Sequence, residues 1–295
     1  MTPLNPTCPC QYTYAVVIDF HTHILPPRMK EKRAEFCRRD SMFREFFTVP
    51  KAKIASAEDL IASMDECGVD ASVLLSAGWD TNETCRLTND YALESAARYP
   101  KRLIPFCVVQ PKAGDAAVRE LERCAQGGAR GIGEMRSDSQ GYDLGDKKLM
   151  EPIVEVALKY NLVYLTHASE PVGHLYPGKG SVTPDSLYRF ISNFPELRVV
   201  CAHWGGGLPF YALMPEVATA LSNTFFDTAA TSFLYRPQVF DSVAGMVGAD
   251  KILFGSDYPL LSPKRVIEQI ESAGLPWESK SMILGGNAQR LLGWT

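Results

Sequence analysis

Short apolar runs alternate along this chain with longer stretches whose apolar positions recur at helical spacing, the pattern of strands and helices taken in turn. The runs Tyr14–Phe20, Ala71–Ser76, Leu103–Val109, Ala129–Glu134, Leu162–His167, Leu197–His203, Asn223–Thr228 and Asp250–Asp257 read as strands. Thr81–Tyr99, Gly114–Gln126, Asp146–Tyr160, Thr183–Phe194, Leu208–Leu221 and Tyr235–Val247 read as helices between them. Ser56–Cys67 is a further helix, with Ser56 as cap, Asp59 as a short capping-box partner and Gly68 as its stop. Val108-Val109 and Val199-Val200-Cys201 are apolar on both faces, as buried parallel strands are. Such a succession of strand–helix units predicts an α/β fold, a single-domain (β/α)8 TIM barrel, with a doubly wound open sheet as the alternative.

Three segments lie outside this repeat. Residues 1–14 carry three prolines and no periodicity and read as a loose, disordered leader, which gives the barrel domain residues 15–295. Leu25-Pro26-Pro27 and the charged segment Arg28–Arg39 read as a helical excursion over the mouth of the first strand. Extra helices are expected after the eighth strand.

Hydrophobic residues make up 46% of the chain and charged ones 22%, ordinary values for a soluble globular enzyme. The net charge of -4 shows no basic excess, which argues for a small-molecule partner and against nucleic acid. The apolar runs are too short to span a bilayer, and the start of the chain lacks the charged and apolar regions of a secretory signal, so no membrane role is expected. Eight thinly spread cysteines without a Cys-x-x-Cys pair fit a reducing, cytoplasmic setting. Cys8-Pro9-Cys10 falls in the leader and is given no chemistry. A homo-oligomer is compatible with all of this.

The histidines change the picture. His21 and His23 end the run Val16–His23 one residue apart, so in an extended strand both side chains emerge on the same face. His167, His203 and Asp257 are each the last residue of a predicted strand. In an α/β barrel the C-terminal strand ends form the catalytic face, so these residues converge on one mouth. Converging imidazoles suit a transition metal. Glu134 closes the fourth predicted strand and adds a carboxylate to the same mouth, with pairing to Arg130 or Arg136 as its alternative.

Further candidates lie on the loops. Arg136 and Lys179 suit a carboxylate on the substrate, and Glu170 and His174 follow His167 on a loop where they contact substrate or a second metal, with a merely solvated loop as the alternative for them. Trp79, Trp204 and Tyr258 follow strands and read either as pocket walls or as rim packing, while Asp19 lies one layer below His21 and reads as structural. Gly205-Gly206-Gly207 lacks the spacing of a dinucleotide or phosphate loop.

The His-x-His pair, the later single histidines, Gly255-Ser256-Asp257-Tyr258-Pro259 and Gly286-Asn287-Ala288-Gln289-Arg290-Leu291-Leu292 together resemble the amidohydrolase superfamily, in its amidohydrolase-2 branch, from about Val16 onward. The resemblance implies a TIM barrel and a metal-dependent hydrolase of a small-molecule ester, lactone or amide, with metal-activated water as nucleophile. It implies His21, His23 and His167 as ligands, and Asp257 as a ligand that also relays the proton. His203 is a further ligand or an electrophile that hydrogen-bonds the substrate carbonyl. Similar binuclear members, the TatD-like enzymes among them, carry a carboxylate that bridges two metals, a role the resemblance offers to Glu134. The single-metal, decarboxylase-like branch, which Ile18–Pro26 also resembles, does not need it. Zinc is the expected ion, one or two per chain, with manganese, iron or nickel also fitting. A decarboxylase or hydratase with one metal is the competing activity. A TatD-like nuclease is disfavoured by the acidic balance.

Overall fold

The computed structural model describes residues 14–294, so Cys8, Cys10 and nearly all of the expected leader lie outside the described residues. Eight parallel strands, β1 (Ile18–His23), β2 (Ala71–Leu75), β3 (Leu103–Cys107), β4 (Gly131–Met135), β5 (Val163–Thr166), β6 (Val199–Cys201), β7 (Thr224–Asp227) and β8 (Ile252–Leu253), pair in sequence order. β8 returns to β1 through Phe20 N–H to Phe254 O at 2.7 Å and His23 N–H to Tyr258 O at 2.7 Å. The result is a nearly closed (β/α)8 barrel, the TIM barrel that the strand–helix alternation predicts.

Three apolar clusters hold it together. Ile18, Phe20, Val73, Leu75, Ile104, Phe106, Val163, Leu165, Val200 and Leu253 fill the barrel, with Ala288 and Leu291 of the last helix (Asn287–Leu292) joining them. Gly131 leaves room for Phe106, whose ring occupies the place of its missing Cβ. Two outer clusters pack strands against helices, one around β3–β6 and one around β8, β1 and β2. The loop after β1 carries short helices at Pro27–Glu31, Arg33–Arg39 and Ser41–Phe47, whose Met29, Phe36, Met42 and Phe43 bury against Trp79 and its neighbours.

The helix beginning at Ala57 has the expected capping box, with Ser56 and Asp59 each accepting the other's backbone N–H and Gly68 in the left-handed conformation at its end. The expected helix over 208–221 is instead broken into Leu208–Tyr211, Pro215–Ala220 and a last turn at Leu221–Asn223, because Pro209 and Pro215 begin new turns. β1 begins at Ile18 and runs through His23, later at both ends than the run Tyr14–Phe20 suggests. Among the described residues no helix is long and apolar enough to cross a membrane. The described cysteines are all unbridged.

Candidate active site

Two irregularities in the sheet aim the central side chains. Ile18 and Phe20 point into the barrel, so strict alternation would send His21 outward. A register shift between Asp19 and Thr22 in the pairing of β1 with β2 turns His21 into the mouth instead. β4 repeats the device: Ile132 and Met135 both face the outer cluster, and the register shift between them presents Glu134 to the mouth. Bulges of this kind re-aim side chains beside active sites. His167 follows β5 directly, whereas His203 and Asp257 lie beyond the paired parts of β6 and β8 in left-handed turns, with φ of 54° and 64°. They are therefore loop residues above the strands, not strand ends, because these conformations end the ladder.

The six side chains meet. His21 Nε2 and His23 Nε2 are 3.1 Å apart. Glu134 Oε2 lies 3.8 Å from the former and 3.7 Å from the latter, and Asp257 Oδ1 lies 3.8 and 3.3 Å from them. On its other side Glu134 Oε1 accepts from His167 Nδ1 at 2.8 Å and faces His203 Nε2 at 3.4 Å. His21, His23 and Glu134 form one group able to hold a metal ion, and Glu134, His167 and His203 form a second. Ring nitrogens and carboxylate oxygens in this arrangement fit a divalent transition-metal ion.

The charges follow from burial set against partners. Burial opposes a charged His21, but Asp227, with Glu134 and Asp257 beyond it, raises its pKa to about 10. Burial would raise Asp257, yet the hydrogen bond to His23 and the nearby His21 and His203 bring it to about 2. His167 falls to about 4, first through burial and then through the charge of Arg136. His203 moves up despite burial, held by Glu134 and Asp257. Burial raises Asp19 to about 7, and its Oδ1 accepts from Ser256 N–H at 2.9 Å and His21 N–H at 3.2 Å, a structural tie between β1 and the loop after β8.

The pattern of the sequence did not bring out Asp227. It ends β7 as the other candidates end their runs, and that position was the available signal. Fully buried, it accepts from His21 Nδ1 at 2.8 Å through Oδ2 and from His203 N–H at 2.9 Å and Ala229 N–H at 3.0 Å through Oδ1. Gly255 lets this happen, since a Cβ there would lie 2.8 Å from His21 Cβ and 3.4 Å from Asp227 Cβ.

The softer candidates scatter. Trp204 is buried, donates to Thr231 Oγ1 at 2.8 Å and stands edge-on to Phe240, so it packs in the core instead of lining the mouth. Trp79 is likewise buried, with its N–H shared between Ser76 and Thr88 hydroxyls. Tyr258 packs half-buried against the outer cluster. Lys179 donates to the carbonyls of Val172 and His174 within its own loop, and His174 is exposed. Glu170 Oε2 accepts from Tyr176 Oη at 3.0 Å. Arg136 is 1% exposed and lies beside Gly178 and Asp138.

A family model described as amidohydrolase matches residues 18–294. The chain belongs to the amidohydrolase family. This amidohydrolase chain is 25% identical to a 2-amino-3-carboxymuconate-6-semialdehyde decarboxylase of Dictyostelium discoideum, over 94% of its own length and 91% of the relative's. It is 24% identical to a gamma-resorcylate decarboxylase of Polaromonas sp. (strain JS666 / ATCC BAA-500), over 77% of its length and 84% of the relative's. Its fold is that of the 5-carboxyvanillate decarboxylase of Novosphingobium aromaticivorans solved with manganese and 4-hydroxy-3-methoxy-5-nitrobenzoic acid, with a TM-score of 0.78, 17% identity and coverage of 94% of this chain and 96% of that one.

These relatives correct the expected activity. The curated relatives that match the chain over most of their length are decarboxylases, so the reading as a hydrolase of an ester, lactone or amide does not stand, and the competing decarboxylase reading is the one they favour. What holds is an enzyme of the amidohydrolase superfamily with a TIM barrel and a site for a divalent metal.

Proposed function

We propose that this enzyme is a metal-dependent, non-oxidative decarboxylase of a small conjugated or aromatic carboxylic acid. The observation that carries the reading is the end-to-end similarity to decarboxylases of a chain whose His21, His23, Glu134 and Asp257 converge on one point. In the reaction the bond between the carboxylate and its carbon breaks, the electron pair stays on that carbon, and a proton replaces the departing carbon dioxide.

His21, His23, His167, Glu134 and Asp257 would hold one divalent ion. The ion would polarise substrate oxygens and offset the negative charge that develops as the bond breaks. Manganese is favoured over zinc by the manganese in the Novosphingobium neighbour and by the two carboxylates in the set. Asp257 remains ionised and acts as a ligand, since its carboxyl is held at about 2. His203 handles the proton. Its Nδ1–H donates to Ala229 O at 3.3 Å, which leaves Nε2, facing the mouth, as the atom that gains and gives the proton. Burial works against a charged ring, but Glu134 and Asp257 hold the proton on it and raise its pKa, as suits a general acid.

The test is turnover of manganese-loaded protein on a panel holding 2,6-dihydroxybenzoate, 5-carboxyvanillate and 2-amino-3-carboxymuconate-6-semialdehyde beside simple esters and lactones. Carbon dioxide from one of the acids, with esters and lactones untouched, is the expected result. Hydrolysis without carbon dioxide release contradicts the reading.

A further inference from the structure

Three cations gather at the end of the barrel opposite the mouth. Arg130 and Arg198 immediately precede β4 and β6, and Lys101 lies two residues before β3, so all three sit where strands begin. Arg130 and Arg198 line a cavity of about 140 Å³. Lys101 and Arg130 line a second of about 230 Å³, and the two adjoin at Gly128, Arg130 and Leu292. Among the described residues no aspartate or glutamate lines either one. Glycine keeps the space open, since a Cβ on Gly128 or Gly293 would meet no atom within 4 Å. Among the described residues, Arg102 and Lys159 pair with Asp65 and Glu122 at 2.6 and 2.7 Å, whereas Lys101 and Arg130 pair with no carboxylate. Arg198 is half-buried and held by oxygens without net charge, Leu291 O at 2.8 Å and Asn161 Oδ1 at 2.7 Å. Burial lowers its pKa, and no carboxylate acts against that shift.

Taking a guanidinium partly out of water without a counter-charge is unfavourable, so a cavity walled by such groups is suited to an anion. Two guanidinium forks and an ammonium around one space match a dianion with three free oxygens better than a singly charged carboxylate with two. We propose that this basal cavity binds a phosphate group, either inorganic phosphate or the phosphate of a small organic ester. Arg130, at the junction of the two cavities, is its principal contact. The larger cavity is walled by Leu103, Ile104, Pro105, Leu292 and Trp294 and gives an ester's organic part a place to lie. A phosphate held there links the starts of the strands to the last helix, whose Leu291 carbonyl already accepts from Arg198. The site lies at the opposite end of the barrel from the catalytic face and stands independently of the decarboxylase reading.

The test titrates manganese-loaded protein calorimetrically with inorganic phosphate, phenyl phosphate and acetate, and follows melting with and without each. Wild type should bind phosphate in at least one of its two forms, about 10-fold or more tighter than acetate, and its melting temperature should rise with occupancy. Arg130→Met should weaken that binding about 10- to 100-fold, the loss of a charge-assisted hydrogen bond. Because the Arg130 side chain is exposed and unpaired, the same variant should not lower the melting temperature of the ligand-free protein, as loss of a merely structural arginine would. Arg130→Lys, which keeps the charge without the planar fork, should retain part of the affinity. Tighter binding of phenyl phosphate identifies the ligand as an ester, and equal binding identifies it as the free ion. Phosphate held with equal strength by wild type and Arg130→Met sits elsewhere, at the metal for instance, and overturns the proposal. Failure of both phosphates to bind, or acetate binding as tightly as they do, overturns it as well.

Discussion

Asp227 Oδ2 accepts the Nδ1–H of His21 at 2.8 Å, which fixes the ring so that Nε2 faces the metal site. Carboxylate–histidine pairs of this kind orient a ligand and raise its basicity, and their loss costs 10- to 100-fold in metal affinity. Asp227→Asn should therefore weaken manganese binding by about that factor, read by equilibrium titration followed by electron paramagnetic resonance. Wild-type affinity in this variant would separate Asp227 from the site.

The same pair sets a pH dependence. His21 in the metal-free protein is raised to about 10, so its proton must leave when the ion arrives. Between pH 7 and 9 manganese uptake should release about one proton from this residue and tighten as pH rises. Calorimetry in buffers of different ionisation enthalpy counts the protons. For stability the sign runs the other way: a raised histidine stabilises the fold fully below its ordinary value near 6.5 and loses that contribution as pH climbs toward about 10. The melting temperature of metal-free protein should fall over that interval, and a flat profile would contradict the charge assignment.

His203→Asn separates proton transfer from metal binding. The variant should bind manganese as wild type does, while kcat drops about 10²- to 10⁴-fold, as is typical for a lost general acid. Loss of the ion along with the activity would place His203 among the ligands instead.

Gly255→Ala tests how the site is packed. Its Cβ would press on His21 and Asp227. Overpacking costs about 1–3 kcal/mol, and here it should appear chiefly as weakened manganese binding. Gly68→Ala is the control. Its φ of +70° makes alanine strained in open space, so it should lower stability by roughly 1–2 kcal/mol with metal affinity intact.

The eight strands and the histidine cluster were legible because buried parallel strands are continuously apolar and because His21, His23, His167, His203 and Asp257 all fall where such runs stop. Two things were not. The register shifts that turn His21 and Glu134 inward leave no mark in a pattern of apolar and polar residues, since Asp19–Thr22 and Gly133-Glu134 look like the ordinary ends of strand runs. Asp227 escaped because a lone carboxylate closing an aromatic run carries no chemical signal until the fold sets it against a histidine more than two hundred positions away. The reaction was only half legible, with hydrolysis preferred and the decarboxylase that the relatives favour kept as the competing activity, because one metal-binding barrel serves both and the choice depends on the substrate and on which residue carries the proton.

Decarboxylation with proton delivery to carbon is the central claim, and one measurement addresses it directly. Manganese-loaded enzyme in D2O, given each acid of the panel labelled with ¹³C at its carboxylates, should yield labelled carbon dioxide and a product with a single deuterium on the carbon that bore the lost group, both read by nuclear magnetic resonance. Products in which every labelled carboxylate survives and a water molecule has been added or an ester-type bond cut would contradict it.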